Sequence, residues 1–176
     1  MRFIEVDLKH SHTRRFDLPF RWPDPPLHVV LVSPEIPPNT GNIARMCAAT
    51  GSRLHLIEPM GFKITDAKLK RAGLDYWDSI KPETHANWDA FLAAVKPRRL
   101  WLFSTCGERS LFDAQFEPGD ALVFGSETCG IPDEILNRHR DRIIGVPIRT
   151  DHVRSLNLST TAGIAVYEAL RQLNAK

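Results

Sequence analysis

A chain of 176 residues, 43% hydrophobic and 25% charged, has the length and composition of one globular domain able to bury a core, which excludes a disordered or fibrous protein. No run approaches about 18 apolar residues, so a membrane-spanning helix is excluded as well. A net charge of +2 is too mild to mark a nucleic-acid binder unaided, and three cysteines without a Cys-x-x-Cys pair fit reduced thiols in a cytoplasm.

The opening MRFIEVDLKHSHTRR mixes both charge signs and has no apolar stretch of signal-peptide length, so no secretory segment is expected. Residues 1–26 hold Pro19, Pro23, Pro25 and Pro26 without a periodic apolar pattern, which predicts an N-terminal arm or tail ahead of a domain over 27–176. His10 and His12 lie at metal-compatible closeness, yet without Cys or carboxylate partners at useful spacing they read as solvated tail. After the arm, the apolar runs LHVVLV (27–32), RLHLIE (53–58), RRLWLF (98–103), ALVFG (121–125) and RIIGVPI (142–148) predict buried parallel strands. Helices are predicted between and after them: 40–49 closed by Gly51, 65–72 closed by Gly73, 87–95, 132–139, and the C-terminal segment. This alternation predicts an α/β domain, a mostly parallel sheet with helices on both faces, whose ligands lie beyond the C-terminal strand ends.

No two glycines are spaced as Gly-x-Gly, and neither Gly-Lys-Ser/Thr nor Gly-x-Ser-x-Gly occurs. A dinucleotide-binding oxidoreductase, a P-loop phosphotransferase and a serine hydrolase of the nucleophile-elbow type are therefore disfavoured. Three loops carry a signal instead. In PEIPPNTGNIARMC (34–47), Asn39 or Thr40 can cap the helix, and Asn42, Arg45 and Ala49 share one face. Arg45 is either a solvated helix residue or a group placed on a stiff loop for a ligand. FGSETCGIP (124–132) sets Glu127 between Gly125 and Gly130, a tighter specification than an ordinary strand-to-helix turn needs. RSLNLSTTAGIAVYEAL (154–170) has Ser155 or Asn157 as cap and a buried stripe of Leu158, Ala162, Ala165, Val166, Ala169 and Leu173. Gly163 costs about 1 kcal/mol in a helix interior, which predicts close backbone packing against it.

These three loops, in this order, resemble the three motifs of the SPOUT class of trefoil-knotted RNA methyltransferases. Within that class the chain is most similar to the small tRNA (cytidine/uridine) 2′-O-methyltransferases of the wobble nucleotide, from about Leu27 to Leu173. The resemblance implies a C-terminal deep trefoil knot, S-adenosylmethionine as cofactor, tRNA as substrate, no metal, and a homodimer, to which Ile164 and Tyr167 would offer exposed apolar surface. It places the cofactor on Phe103, Gly125, Val146, Ser155 and Leu156, and matches Arg45 to the catalytic arginine. Asn42, Glu127, Arg154, Asn157 and Tyr167 match positions near the methyl group or the RNA. Ser126 and Cys129 depart from the pattern, standing where close relatives commonly have proline and arginine.

The implied reaction is in-line methyl transfer to a ribose 2′-oxygen, which needs placement of donor and acceptor more than covalent chemistry. A guanidinium holds its charge in proteins, so Arg45 is assigned an electrostatic role toward the developing alkoxide and an adjacent phosphate. Three basic groups could meet RNA: Lys63, Lys68, Lys70 and Arg71; Arg138, Arg140 and Arg142; Arg149 and Arg154. The alternatives are 2′-O-methylation of another tRNA or rRNA site, and a non-catalytic knotted RNA-binding module.

Overall fold

The computed structural model describes residues 18–63, 80–149 and 151–175. The predicted helix over 65–72 lies outside them, as do Lys68, Lys70, Arg71 and the His10–His12 pair. Seven strands form one sheet: β1 (His28–Val32), β2 (Arg53–Ile57), β3 (Glu83–His85), β4 (Leu100–Phe103), β5 (Arg109–Ser110), β6 (Ala121–Phe124) and β7 (Ile143–Gly145). Their order is β3-β2-β1-β6-β4-β7-β5 and every pairing is parallel. The described helices are α1 (Pro37–Thr50), α2 (Trp88–Val95), α3 (Asp133–Arg138) and α4 (Leu158–Asn174). None of them is long and apolar enough to cross a membrane.

Side chains alternate across a strand, so a central strand buried on both faces must be apolar at every position that meets a helix layer. In β1, Val29 and Leu31 join the cluster of Ile43, Cys47, Ala165 and Val166 from α1 and α4. Val30 and Val32 point the other way, into the cluster of Trp88, Phe91 and Ile135 from α2 and α3. The two-faced core predicted from the apolar runs is thus present. The sequence patterns missed β3 and β5, which are short, polar and at the two sheet edges.

Helix α1 begins at Pro37, three residues before the predicted start, and Ile36 at its N-cap gives no side-chain cap. Two prolines open the first turn, where their missing N–H groups cost nothing. Asn39 and Thr40 consequently lie inside the helix and are not caps. Gly51 closes it in the left-handed region, φ 67°. Asn87 caps α2 by accepting from the Ala90 N–H at 2.9 Å. Asn157 caps α4, its Oδ1 accepting from the N–H groups of Ser159 at 2.9 Å and Thr160 at 3.3 Å.

The expectation for Gly163 is corrected: a Cβ built there meets nothing within 4 Å. Close backbone approach occurs elsewhere. A Cβ on Gly107 would stand 2.5 Å from the Ile144 carbonyl carbon, and one on Gly125 would overlap the backbone of Gly130 and Ile131. Ile164 is corrected too, since it is half-buried and packs against the main core cluster.

The described end of the arm is fastened to the domain. Phe20 packs against the main core cluster, and the Arg21 N–H donates to Asn174 Oδ1 at 2.9 Å. Phe20→Ala is expected to lower unfolding free energy by about 1–2 kcal/mol, less than for a fully buried ring. Urea unfolding measures this, and S-adenosylmethionine affinity on the same preparation should stay unchanged.

Candidate active site

The strands β6, β4 and β7 are neighbours, and their register sets Phe103 opposite both Phe124 and Ile144. Phe103, Gly125 and Val146 therefore leave the C-terminal edge of the sheet side by side, where open α/β sheets bind ligands. The Phe103 ring stacks on Phe124 with centroids 4.8 Å apart and planes 19° from parallel. Ser104 N–H donates to the Ile144 carbonyl at 3.0 Å, tying the loop after β4 to β7. Val146 is half-buried against the main cluster. In the segment ahead of α4, Leu156 is half-buried and Ser155 exposed.

A polar chain joins the three signal loops. Glu127, from the loop after β6, accepts from the N–H groups of Glu35 at 2.9 Å and Ile36 at 3.3 Å, just before α1. Its Oε1 also accepts from Asn39 Nδ2 at 2.9 Å, and Asn39 Oδ1 accepts from Asn157 Nδ2 at 3.0 Å. A carboxylate at the opening of α1 meets unpaired N–H groups and the positive end of the helix dipole. Glu35 returns the link, accepting from Thr128 Oγ1 at 2.8 Å. Sequence reasoning matched Glu127 and Asn157 but offered Asn39 only as a cap. The available signal was an amide between a proline pair and a glycine, in a loop already singled out.

Ser126 closes the second loop. It exchanges backbone hydrogen bonds with Gly130 at 3.1 and 2.9 Å, and its hydroxyl accepts from the Cys129 N–H at 3.1 Å. Gly130 takes φ 72°, a conformation costly for other residues. Asn42 and Arg45 lie on the exposed face of α1, three residues apart, while Arg154 and Tyr167 are exposed before and along α4. Thr40 is fully buried in the first turn of α1, and its hydroxyl has no partner among the described residues. Two open clefts of about 330 and 770 Å³ lie elsewhere, beside Arg98 and His139 and beside Arg109 and Arg140. Phe103, Gly125, Val146, Ser155 and Leu156 line neither.

A parallel sheet with three such loops bound together at its C-terminal edge is the architecture of SpoU methylases. The SpoU rRNA Methylase family matches residues 26–167, and the chain belongs to that family. It is 53% identical over 149 residues to the tRNA (cytidine(34)-2′-O)-methyltransferase of Saccharophagus degradans, covering 83% of this chain and 95% of that protein. A solved structure described as giving insights into the 2-OH methylation of C/U34 on tRNA superposes with a TM-score of 0.80 at 49% identity. It covers 85% of this chain and 97% of its own. The SpoU methyltransferase AviRb of Streptomyces viridochromogenes, solved in complex with AdoMet, shares the fold at TM-score 0.75 and 24% identity, covering 85% of this chain and 61% of its own. Membership of the family implies the trefoil knot for this chain.

Proposed function

We propose that this chain transfers the methyl group of S-adenosylmethionine to the ribose 2′-hydroxyl of the tRNA wobble nucleotide, cytidine or uridine at position 34. The observation that carries this reading is the Glu127–Asn39–Asn157 chain, which binds together the three loops that the resemblance assigns to cofactor and substrate.

The strand-end residues fit an adenosine moiety. Val146 and Leu156, both half-buried, offer apolar surface beside the buried Phe103, and Gly125 lets the Gly130–Ile131 backbone close tightly over the end of β6. S-adenosylmethionine, when bound, supplies an electrophilic methyl group on a sulfonium. Arg45 presents its guanidinium to the RNA side of α1, holding a phosphate and stabilising negative charge that develops on the 2′-oxygen. Asn42, Arg154 and Tyr167 flank the substrate. Glu127 and Asn157 act one step back, setting the start of α1 against the start of α4. The family's description as rRNA methylases makes a ribosomal ribose the second reading. Transfer of labelled methyl to total tRNA and to ribosomal RNA, followed by mapping of the labelled nucleotide, separates the two; label confined to ribosomal RNA would overturn the first.

The protein is further read as a cytoplasmic homodimer. Its described cysteines are all free thiols, as a reducing compartment keeps them. Tyr167 is 58% exposed on α4, and the neighbouring Gly163 faces open space in the protomer. Gly163→Ala is a direct test of what covers that face. In a lone protomer the change should stabilise α4 by up to about 1 kcal/mol. Against a second copy it should weaken association, and the dimer reading expects sedimentation to show a lower dimer fraction for the variant at equal concentration. A more stable protein with unchanged association would contradict dimerisation through this face.

A further inference from the structure

On the sheet face under α2, three histidines form a line that the proposed methyl transfer does not use. In the parallel register His55 lies opposite Val30, two residues after His28, and His85 lies opposite Ile57, two residues after His55. The three therefore share one face, stepping diagonally across β1, β2 and β3. His28 Nδ1 stands 2.9 Å from His55 Nε2, and His55 Nδ1 stands 3.1 Å from His85 Nε2. All three side chains are buried, and the Phe91 ring covers His55 and His85 with centroids 5.4 Å away in each case. Glu83, two residues before His85 and exposed at the sheet edge, brings Oε2 to 3.9 Å from His55 Nδ1. Among the described residues, His55, Glu83 and His85 are the one group of metal-binding side chains whose ligand atoms all lie within 4.8 Å of one another.

We infer that His55 Nδ1, His85 Nε2 and the Glu83 carboxylate bind a divalent transition metal, zinc in preference, with His28 orienting His55 from behind. Two nitrogens on a tetrahedral zinc, each about 2.0–2.1 Å from the ion, lie roughly 3.3–3.4 Å apart. The two nitrogens face each other at 3.1 Å with ring centroids 5.3 Å apart, so binding exchanges their hydrogen bond for the ion and turns both rings toward it. The Glu83 carboxylate, free to move at an exposed edge, closes the remaining gap and offsets the ion's charge. A ligating histidine characteristically donates its second ring N–H to a fixed partner. With His28 Nδ1 2.9 Å from His55 Nε2, the His55 tautomer that donates to His28 from Nε2–H would leave its Nδ1 lone pair for the ion. Two nitrogens and one carboxylate suit zinc or cobalt over magnesium or calcium, which favour all-oxygen shells. The bound ion would clamp the three-residue edge strand β3 to β2.

Stripping the full chain with a chelator and titrating it with Co²⁺ tests this directly. One equivalent per chain should bind with the visible absorption of tetrahedral cobalt, and Zn²⁺ should displace it. Glu83→Gln, at an exposed position that folding tolerates, should weaken binding about tenfold or more, and His28→Ala about ten- to a hundredfold. Zinc should raise the melting temperature of the wild type more than that of Glu83→Gln at the same concentration. A His10→Ala, His12→Ala double variant controls for the N-terminal pair and should bind as the wild type does. Absence of the cobalt spectrum, binding indifferent to Glu83→Gln, or binding abolished in the double variant would each overturn the assignment.

Discussion

Arg45→Ala should fold, bind S-adenosylmethionine as the wild type does, and lose at least about tenfold in single-turnover methyl transfer. Arg45 is exposed on α1 and is not one of the residues proposed to hold the cofactor, so its removal is expected to leave that surface intact. A charge-assisted contact to a phosphate or developing alkoxide contributes about 1.5–3 kcal/mol, and each 1.4 kcal/mol corresponds to about tenfold in rate. Arg45→Lys should recover only part of the activity, because an ammonium supplies charge without the planar fork. Cofactor affinity and single-turnover rate measured on the same preparations decide it. A change of only a few-fold in rate would make Arg45 a solvated helix residue. Parallel loss of cofactor binding would assign it to the wrong ligand.

Glu127→Ala should destabilise the protein by about 2–4 kcal/mol and weaken S-adenosylmethionine binding with it. The carboxylate accepts three hydrogen bonds, from the N–H groups of Glu35 and Ile36 and from the buried Asn39 amide. Removing it strands those donors at the mouth of α1, and stranded donors cost more than a hydrogen bond contributes on average. Glu127→Gln keeps shape and one acceptor oxygen, so it should lose less stability and retain measurable turnover. Urea unfolding together with methyl transfer separates the two roles. If Glu127→Gln is as stable as wild type yet inactive, Glu127 acts on substrate rather than as the tie between loops.

The five principal strands were legible because a strand covered on both faces must be apolar throughout, and runs such as VVLV and ALVF satisfy little else. The edge strands ETH and RS were not, since two or three polar residues become a strand only by pairing with β2 or β7. Gly163 misled because a glycine within a helix signals close packing only if something lies against it, and in the protomer nothing does. The loops themselves were legible from spacing; their mutual contact was not. Asn39 and Glu127 are 88 residues apart, and Asn39 and Asn157 are 118 apart. Their meeting is set by β1 and β6 lying side by side. The histidine line shows the same limit, since spacings of 27 and 30 residues carry no local pattern and only strand register brings the rings together.

The most direct test of the proposed activity uses a tRNA that accepts methyl from this enzyme, compared with the same tRNA carrying a 2′-deoxynucleotide at position 34 alone. Removing that single oxygen deletes the acceptor and leaves the anticodon sequence, fold and nearly all phosphate contacts in place. Incorporation of labelled methyl should fall to background for the deoxy substrate while the unmodified tRNA is methylated to about one equivalent. Full incorporation into the deoxy substrate would contradict the assignment, because the methyl group would then be going to another atom.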